Sequence, residues 1–343
     1  MKKYKTALVI GAGAFGTSIA SILSNQFEKV ILKVRSQDIF DCIQKGENSI
    51  YLPGFKLSSN ITATLDWNDI LDEKDDIELL VSGLPTSALA RFVEENESTL
   101  IHLLNIGCPF ISLSKGIETS SLKMPDDIFF ESFAHYQDQF CFLSGPSFAK
   151  EILEEQITLV SLAGKSRKSL ENASQMLETD FFKIFPTYDI KGVLIGGALK
   201  NILAIAAGIA EGLGFNHNTR AAIITQGIRE MLRFGVVFNA RPETFYGLSG
   251  MGDLILTTTG GLSRNKQFGL ELAKGRKPQE VIESERRVVE GYKTTLAAFK
   301  LAEKYGIRAF IFKGMYQILY EGTPVEAVLS EVKKMSGRFY DVE

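Results

Sequence analysis

The chain of 343 residues is longer than one typical domain and points to two. Its 45% apolar content supports a full globular core. Its net charge of −3, from 38 basic and 41 acidic residues, gives no global attraction to nucleic acid or to an anionic membrane, so a bound anion must meet a local cluster.

The opening MKKYKT is basic but runs directly into an apolar stretch, with no small-residue cleavage site, and no signal peptide is expected. Ala7-Leu8-Val9-Ile10 reads as a buried parallel strand. Gly11-Ala12-Gly13-Ala14-Phe15-Gly16 follows, and Ile19, Ile22 and Leu23 then recur at helical intervals. Gly11 suits a tight strand-to-helix turn, Gly13 lets a pyrophosphate approach the backbone, and Gly16 lets the helix lie close to the strand. The helix N-terminus adds free N–H groups and partial positive charge. A glycine-rich turn alone is a weak signal; the strand before it and the helix after it favour a dinucleotide site.

Val30 to Val34 reads as the second strand. Arg35 follows it, where an acid would hold the ribose 2′-OH of NAD. An arginine there is compatible with the 2′-phosphate of NADP, or is simply a solvated strand end. Further strands are expected at Ile61–Leu65, Ile77–Ser82, Phe110–Leu113, Phe140–Leu143 and Ile157–Ala163, with helices from Thr86 and from about Ser166. This alternation predicts an α/β fold with a Rossmann-like, doubly wound, mostly parallel sheet. Ligands sit at the carboxyl ends of such strands, where Lys115 and Gly145-Pro146-Ser147 fall.

The pattern changes near Asp189. Residues 1–189 are expected to form the dinucleotide-binding domain and 190–343 an all-α substrate-binding and catalytic domain. Helices are expected at about Gly192–Ala210, Thr219–Phe234, Arg264–Lys274, Gly291–Tyr305, Phe310–Tyr320 and Pro324–Lys334. Gly192–Ala210 is long enough to span a bilayer, but Lys200 at its centre would cost about 2.5–3.5 kcal/mol there. A buried core helix fits better.

Lys200 is the sharpest single residue, as the only charge in that helix. Burial can tune a lysine toward neutral pH for acid–base work; a lysine whose stem snorkels to solvent is the alternative. Lys115 could meet it across the cleft or lie in a surface turn. Ser147 reads as a helix N-cap before Ala149, and Asp253 as an acid in a glycine frame or a capping aspartate. Ser263, Arg264 and Asn265 read as a helix start able to cradle phosphate. Glu290, after Val288, reads as an acid at a helix start. Cys42, Cys108 and Cys141 form no C-x-x-C and read as buried free thiols of a reducing cytoplasm. His102, His135 and His217 lack metal spacing, and no metal is expected.

Together the runs GAGAFGT (11–17), SKGIE (114–118), GPSFAKE (145–151), LKNILAIAAGIAEGLGFNHNTRAAIIT (199–225), GLSGMGDL (247–254), LSRN (262–265) and VVEGYKT (288–294) resemble bacterial-type NAD(P)-dependent glycerol-3-phosphate dehydrogenase, in that family's order and over nearly the whole chain. The resemblance implies reversible reduction of dihydroxyacetone phosphate to sn-glycerol 3-phosphate for glycerophospholipid synthesis, in a cytoplasmic homodimer. It implies Lys200 as the proton acceptor in oxidation and Asp253 as the acid near the reacting centre. Lys115, Gly145 and Ser147 match substrate contacts, and Ser263, Arg264 and Asn265 the phosphate end. Ala14, Phe15, Arg35, Lys115, Ala149, Arg264, Val288 and Glu290 match cofactor contacts. The chain departs from many relatives in LILTTTGG after Asp253 and in Lys33-Val34-Arg35, which lacks an aromatic residue. Another two-domain dehydrogenase and a non-catalytic dinucleotide sensor are the rival readings.

Overall fold

The computed structural model describes residues 3–284 and 289–334. Eight strands form one sheet: β1 (Tyr4–Ile10), β2 (Phe27–Lys33), β3 (Ile61–Thr64), β4 (Ile77–Ser82), β5 (Phe110–Ser112), β6 (Phe140–Ser144), β7 (Thr158–Gly164) and β8 (Phe182–Thr187). Their spatial order is 8-7-6-5-4-1-2-3, and every pairing is parallel except β6 with β7. The mostly parallel Rossmann-like sheet is therefore as the sequence predicts. β8 and a small antiparallel hairpin, Glu47–Asn48 with Leu52–Lys56, are additional.

Alternation along β1 shows why the sheet is covered on both faces. Ala7 and Val9 pack into one apolar cluster with α1 (Ala14–Gln26), while Leu8 and Ile10 pack into the other. All four are buried, as a parallel sheet requires. The second cluster runs through Phe110, Phe129, Phe140 and Phe142 into Ile190–Ile209, so sheet and helical domain share one core.

Register puts Lys33, Ile10, Ser82, Ser112 and Phe142 level at the carboxyl edge of five neighbouring strands. Gly11 turns the chain there with φ +97, a region that side-chain-bearing residues avoid. A Cβ on Gly16 would stand 2.2 Å from Gly11 O, so only glycine lets α1 start this close to the strand.

After β8 the described residues are helical. α2 (Ile190–Gly212) is buried along nearly all its length. It is long and apolar enough to cross a membrane, but its apolar surface is covered by the protein's own helices. Asp189 fixes its start: Oδ1 accepts from Gly192 N at 3.0 Å, and Oδ2 accepts from Arg241 N at 2.9 Å and Thr244 Oγ1 at 2.6 Å. Around α2 lie α3 (Asp253–Thr259), α4 (Arg264–Ala273) and α5 (Glu290–Tyr305). Cys42, Cys108 and Cys141 are free; Cys42 is only partly buried, against expectation, while burial pushes the Cys108 and Cys141 thiols up to about 12.

Candidate active site

A cleft of about 570 Å³ opens where the carboxyl edge of the sheet faces α2, α3, α4 and α5. Gly13 to Gly16 form one wall, and Tyr51, Leu52, Pro53 and Phe55 of the hairpin line it as well. Asn48 ties that hairpin to the glycine-rich turn by donating to Ala12 O at 3.0 Å and Thr17 Oγ1 at 2.8 Å.

The turn fits a pyrophosphate. A Cβ on Gly13 would meet nothing within 4 Å, so the space before the backbone is open. No side chain caps α1, and its first turn holds no acid. Its N–H groups and positive dipole end are therefore left for an anion.

Lys200 projects from the middle of α2 and is 7% exposed. Its Nζ donates to Asp253 Oδ1 at 2.6 Å and to Thr257 Oγ1 at 3.0 Å. Asp253 and Thr257 are one turn apart on α3, so both face α2. Thr257 donates its own proton to Asp253 O at 2.6 Å, leaving its oxygen to accept from Lys200. Lys115, just past β5, donates to Asp253 Oδ2 at 3.0 Å and reaches Gly145 O at 3.5 Å. One buried carboxylate thus holds two ammonium groups.

Burial pulls Lys200 down to about 8, and Lys115 adds to that lowering; Asp253 works against both. The balance leaves a lysine that can exchange a proton near neutral pH. Gly197 makes room for this arrangement, since a Cβ there would lie 2.6 Å from Ser144 Oγ and 3.6 Å from Lys115 Cδ.

At the other end, Ser263 caps α4 by accepting from Lys266 N at 3.2 Å. Arg264 and Asn265 follow and line the cleft. Asn265 Nδ2 donates to Asn201 Oδ1 at 2.9 Å, and Asn265 Oδ1 accepts from Gly291 N at 2.9 Å, which locks α4 to α2 and α5. Glu290 begins α5 and accepts from Asn201 Nδ2 at 3.4 Å. Burial raises its carboxyl, against the pull of Arg264, Lys115 and Lys200.

The structure therefore gathers Gly13, Ala14, Phe15, Gly16, Lys115, Ser147, Ala149, Lys200, Ser263, Arg264, Asn265 and Glu290 around one cleft. Asp253 lies beneath it, Gly11 supports the turn, and Gly145 presents its carbonyl to Lys115. Ser147 differs from expectation as a cap. Its hydroxyl donates to Gly145 O at 2.9 Å, and the short helix Ala149–Leu153 begins after Phe148. Arg35 is exposed beyond β2 and does not line the cleft. Its neighbour Lys33 donates to Leu65 O at 3.0 Å and lies 5.0 Å over the Trp67 ring. Val288 falls outside the described residues. The sequence reading missed Thr257, Asn201 and the hairpin. The spacing of Asp253 and Thr257 was the available signal for the first.

Two family profiles match the chain: "NAD-dependent glycerol-3-phosphate dehydrogenase N-terminus" over residues 6–170 and its "C-terminus" over 189–330. A protein of Leptospira biflexa named glycerol-3-phosphate dehydrogenase [NAD(P)+] is 39% identical over 96% of this chain and 98% of its own. One of the same name from Citrifermentans bemidjiense is 41% identical over 94% and 95%. The crystal structure of glycerol-3-phosphate dehydrogenase from Coxiella burnetii superposes with a TM-score of 0.88 at 30% identity, covering 97% of this chain and 99% of that one. With both halves matched in order and relatives similar from end to end, the chain belongs to the NAD-dependent glycerol-3-phosphate dehydrogenase family.

Proposed function

We propose that the protein catalyses the reversible NAD(P)H-dependent reduction of dihydroxyacetone phosphate to sn-glycerol 3-phosphate, supplying glycerophospholipid synthesis. The observation that carries this reading is one cleft holding a dinucleotide turn, the Lys200–Asp253–Lys115 cluster and the basic start of α4. The names of the similar proteins support it.

The chemistry a nicotinamide cofactor supplies when bound at Gly13 to Gly16 is hydride transfer. The chain's own residues bind, orient and move the proton. Arg264, Ser263 and the N-terminus of α4 hold the substrate phosphate, with Asn265 fixing that helix in place. That remote binding aims the C2 carbonyl at Lys200. In reduction, Lys200 as an ammonium donates its proton to the oxygen of the forming C2 alkoxide and is left as an amine. In oxidation it takes that proton back. Asp253 and Thr257 aim Nζ, and Lys115 adds positive field where the oxyanion develops. Gly145 and Ser147 border the substrate, and Ala14, Phe15, Ala149 and Glu290 the cofactor.

The same reading assigns dinucleotide binding to residues 1–189 and substrate binding and catalysis to 190–343. It extends to a homodimer in the cytoplasm, a compartment in keeping with three free thiols. The test is a panel of dihydroxyacetone phosphate, other phosphorylated ketoses and small 2-oxo acids, followed by oxidation of NADH and NADPH. Dihydroxyacetone phosphate should give the highest kcat/KM. A better rate on another panel member would overturn the assignment, and cofactor binding without turnover would favour a sensor.

A further inference from the structure

Lys266 is a buried lysine that the mechanism does not use. It is 5% exposed and does not line the cleft. Buried lysines are rare unless paired or functional. Its Nζ lies 3.0 Å from Glu211 Oε2, at the end of α2, and donates to Thr259 O at 3.2 Å, at the end of α3. Glu211 Oε2 also accepts from Arg220 at 2.6 Å. Burial works against the charge of Glu211, but Lys266 and Arg220 outweigh it and hold the carboxyl below its ordinary range.

α4 also packs on α2 without this contact, through close backbone approach. That crossing is made by backbone: a Cβ on Gly208 would stand 2.1 Å from Lys266 O, and one on Gly269 would stand 2.2 Å from Ile205 O. What Lys266 does hold is the connection from α3 to α4. This connection contains Gly260 and Gly261, and it delivers Ser263 and Arg264 to the cleft. Two carbonyls here, one at the end of α3 and one in the connection, are taken by side chains of the first turn of α4. Lys266 takes Thr259 O, and Gln267 Nε2 takes Gly261 O at 3.0 Å. Two glycines in an untethered loop would leave the phosphate end loosely placed.

We propose that Lys266 is a positioning residue for the substrate phosphate: by clamping Thr259 O beside Glu211 it fixes the span between Lys200, held by α3, and Arg264, at the start of α4. This deepens the reading of the cleft as a dihydroxyacetone phosphate site and rests on it. Removing one partner of a buried ion pair is strongly destabilising when it leaves the other charge buried and unpaired. Glu211 keeps Arg220 as a partner, so Lys266→Met strands no buried charge.

The experiment measures kcat and KM of the full chain for dihydroxyacetone phosphate at saturating reduced cofactor, for wild type, Lys266→Met and Lys266→Arg. It also measures the kcat/KM ratio of dihydroxyacetone phosphate to dihydroxyacetone, and the pH midpoint of kcat. Lys266→Met should raise KM about tenfold or more, lower kcat by less than about threefold, and narrow the phosphate preference. The pH midpoint should stay in place because Lys200 is untouched, and Lys266→Arg, with donors for both oxygens, should recover most of the lost KM. These shifts distinguish positioning from a purely structural role, which would alter stability alone. A wild type active on dihydroxyacetone phosphate with Lys266→Met unchanged in KM and preference overturns this inference alone. So does a lowered kcat with a moved pH midpoint, which would put Lys266 on the proton side. A wild type inert toward dihydroxyacetone phosphate defeats the functional reading, and this inference with it. If Lys266→Met does not fold, Glu211→Gln carries the test. It loosens the same clamp and should raise KM at least about threefold, and an unchanged KM overturns the proposal.

Discussion

Lys200 and Asp253 meet at 2.6 Å from two different helices, and the second oxygen of the same carboxylate holds Lys115 at 3.0 Å. Two cations on one buried anion leave a surplus of positive charge beside the cleft. That surplus can stabilise an oxygen that becomes negative during reaction, while burial, aided by Lys115 and opposed by Asp253, makes Lys200 easier to deprotonate than a free lysine.

The direction of the pH dependence follows. Lys200 titrates near 8, so it is an ammonium below that pH and an amine above it. Reduction needs the ammonium, so kcat should hold at lower pH and fall as pH rises through about 8. Oxidation needs the amine and should rise over the same range. Lys115→Met removes a cation that lowers Lys200, so both midpoints should move up. Rate profiles with the same limb in both directions would contradict this role.

Arg264→Ala should raise KM for dihydroxyacetone phosphate and lower kcat as well, because phosphate binding positions the reacting end. Unphosphorylated dihydroxyacetone should be a poor substrate for the wild type. Equal kcat/KM for the two compounds would remove the phosphate cradle from the account.

Arg35 bears on cofactor choice. It is exposed past β2, and no acid adjoins it in the chain where a ribose 2′-OH would be claimed, so NADPH should be accepted at least comparably with NADH. Arg35→Asp should reverse the preference by about 1–3 kcal/mol, and salt should shrink the wild-type preference because the contact is exposed. The check is kcat/KM for both cofactors at two ionic strengths. A wild type restricted to NADH, or a mutant with an unchanged ratio, would leave Arg35 a solvated strand end.

Glu230 links the fold to pH. It is buried, and its oxygens accept from Ile311 N at 2.8 Å and Phe312 N at 3.2 Å, anchoring the helix Phe310–Tyr320. Burial pushes its carboxyl up to about 7, against the pull of those bonds. A folded value above the ordinary 4.5 means that the stabilising protonation is complete below about pH 4.5 and is lost as pH rises through 7. The loss from this group should reach up to about 3 kcal/mol, and Glu230→Gln should remove it from chemical denaturation measured across that range. An identical slope in the mutant would show that Glu230 does not titrate there.

The elements legible in the sequence were those whose local pattern and tertiary environment agree. Ile77–Ser82 and Phe310–Tyr320 stand where their apolar spacing put them, and Gly11 to Gly16 form the expected turn. Lys200 stands out because no other charge accompanies it in Gly192–Ala210. The strand Phe182–Thr187 was missed because it carries Pro186 and exposed Phe185 at the sheet edge, which blurs the pattern of a buried strand. Ser147 looks like a cap because its neighbours resemble a helix start; in the fold its hydroxyl turns to Gly145 O. The clamp of Lys266 on Thr259 and Glu211 depends on how three helices cross, and no local spacing encodes that.

The most direct test of the central claim is Lys200→Ala, assayed for dihydroxyacetone phosphate reduction alongside cofactor binding. Losing a positioned acid–base group should cut turnover by about 10²–10⁴-fold while NADH and NADPH still bind at the glycine-rich turn. Turnover within a few-fold of wild type, with cofactor bound as tightly, would contradict the assignment of Lys200 as the proton donor.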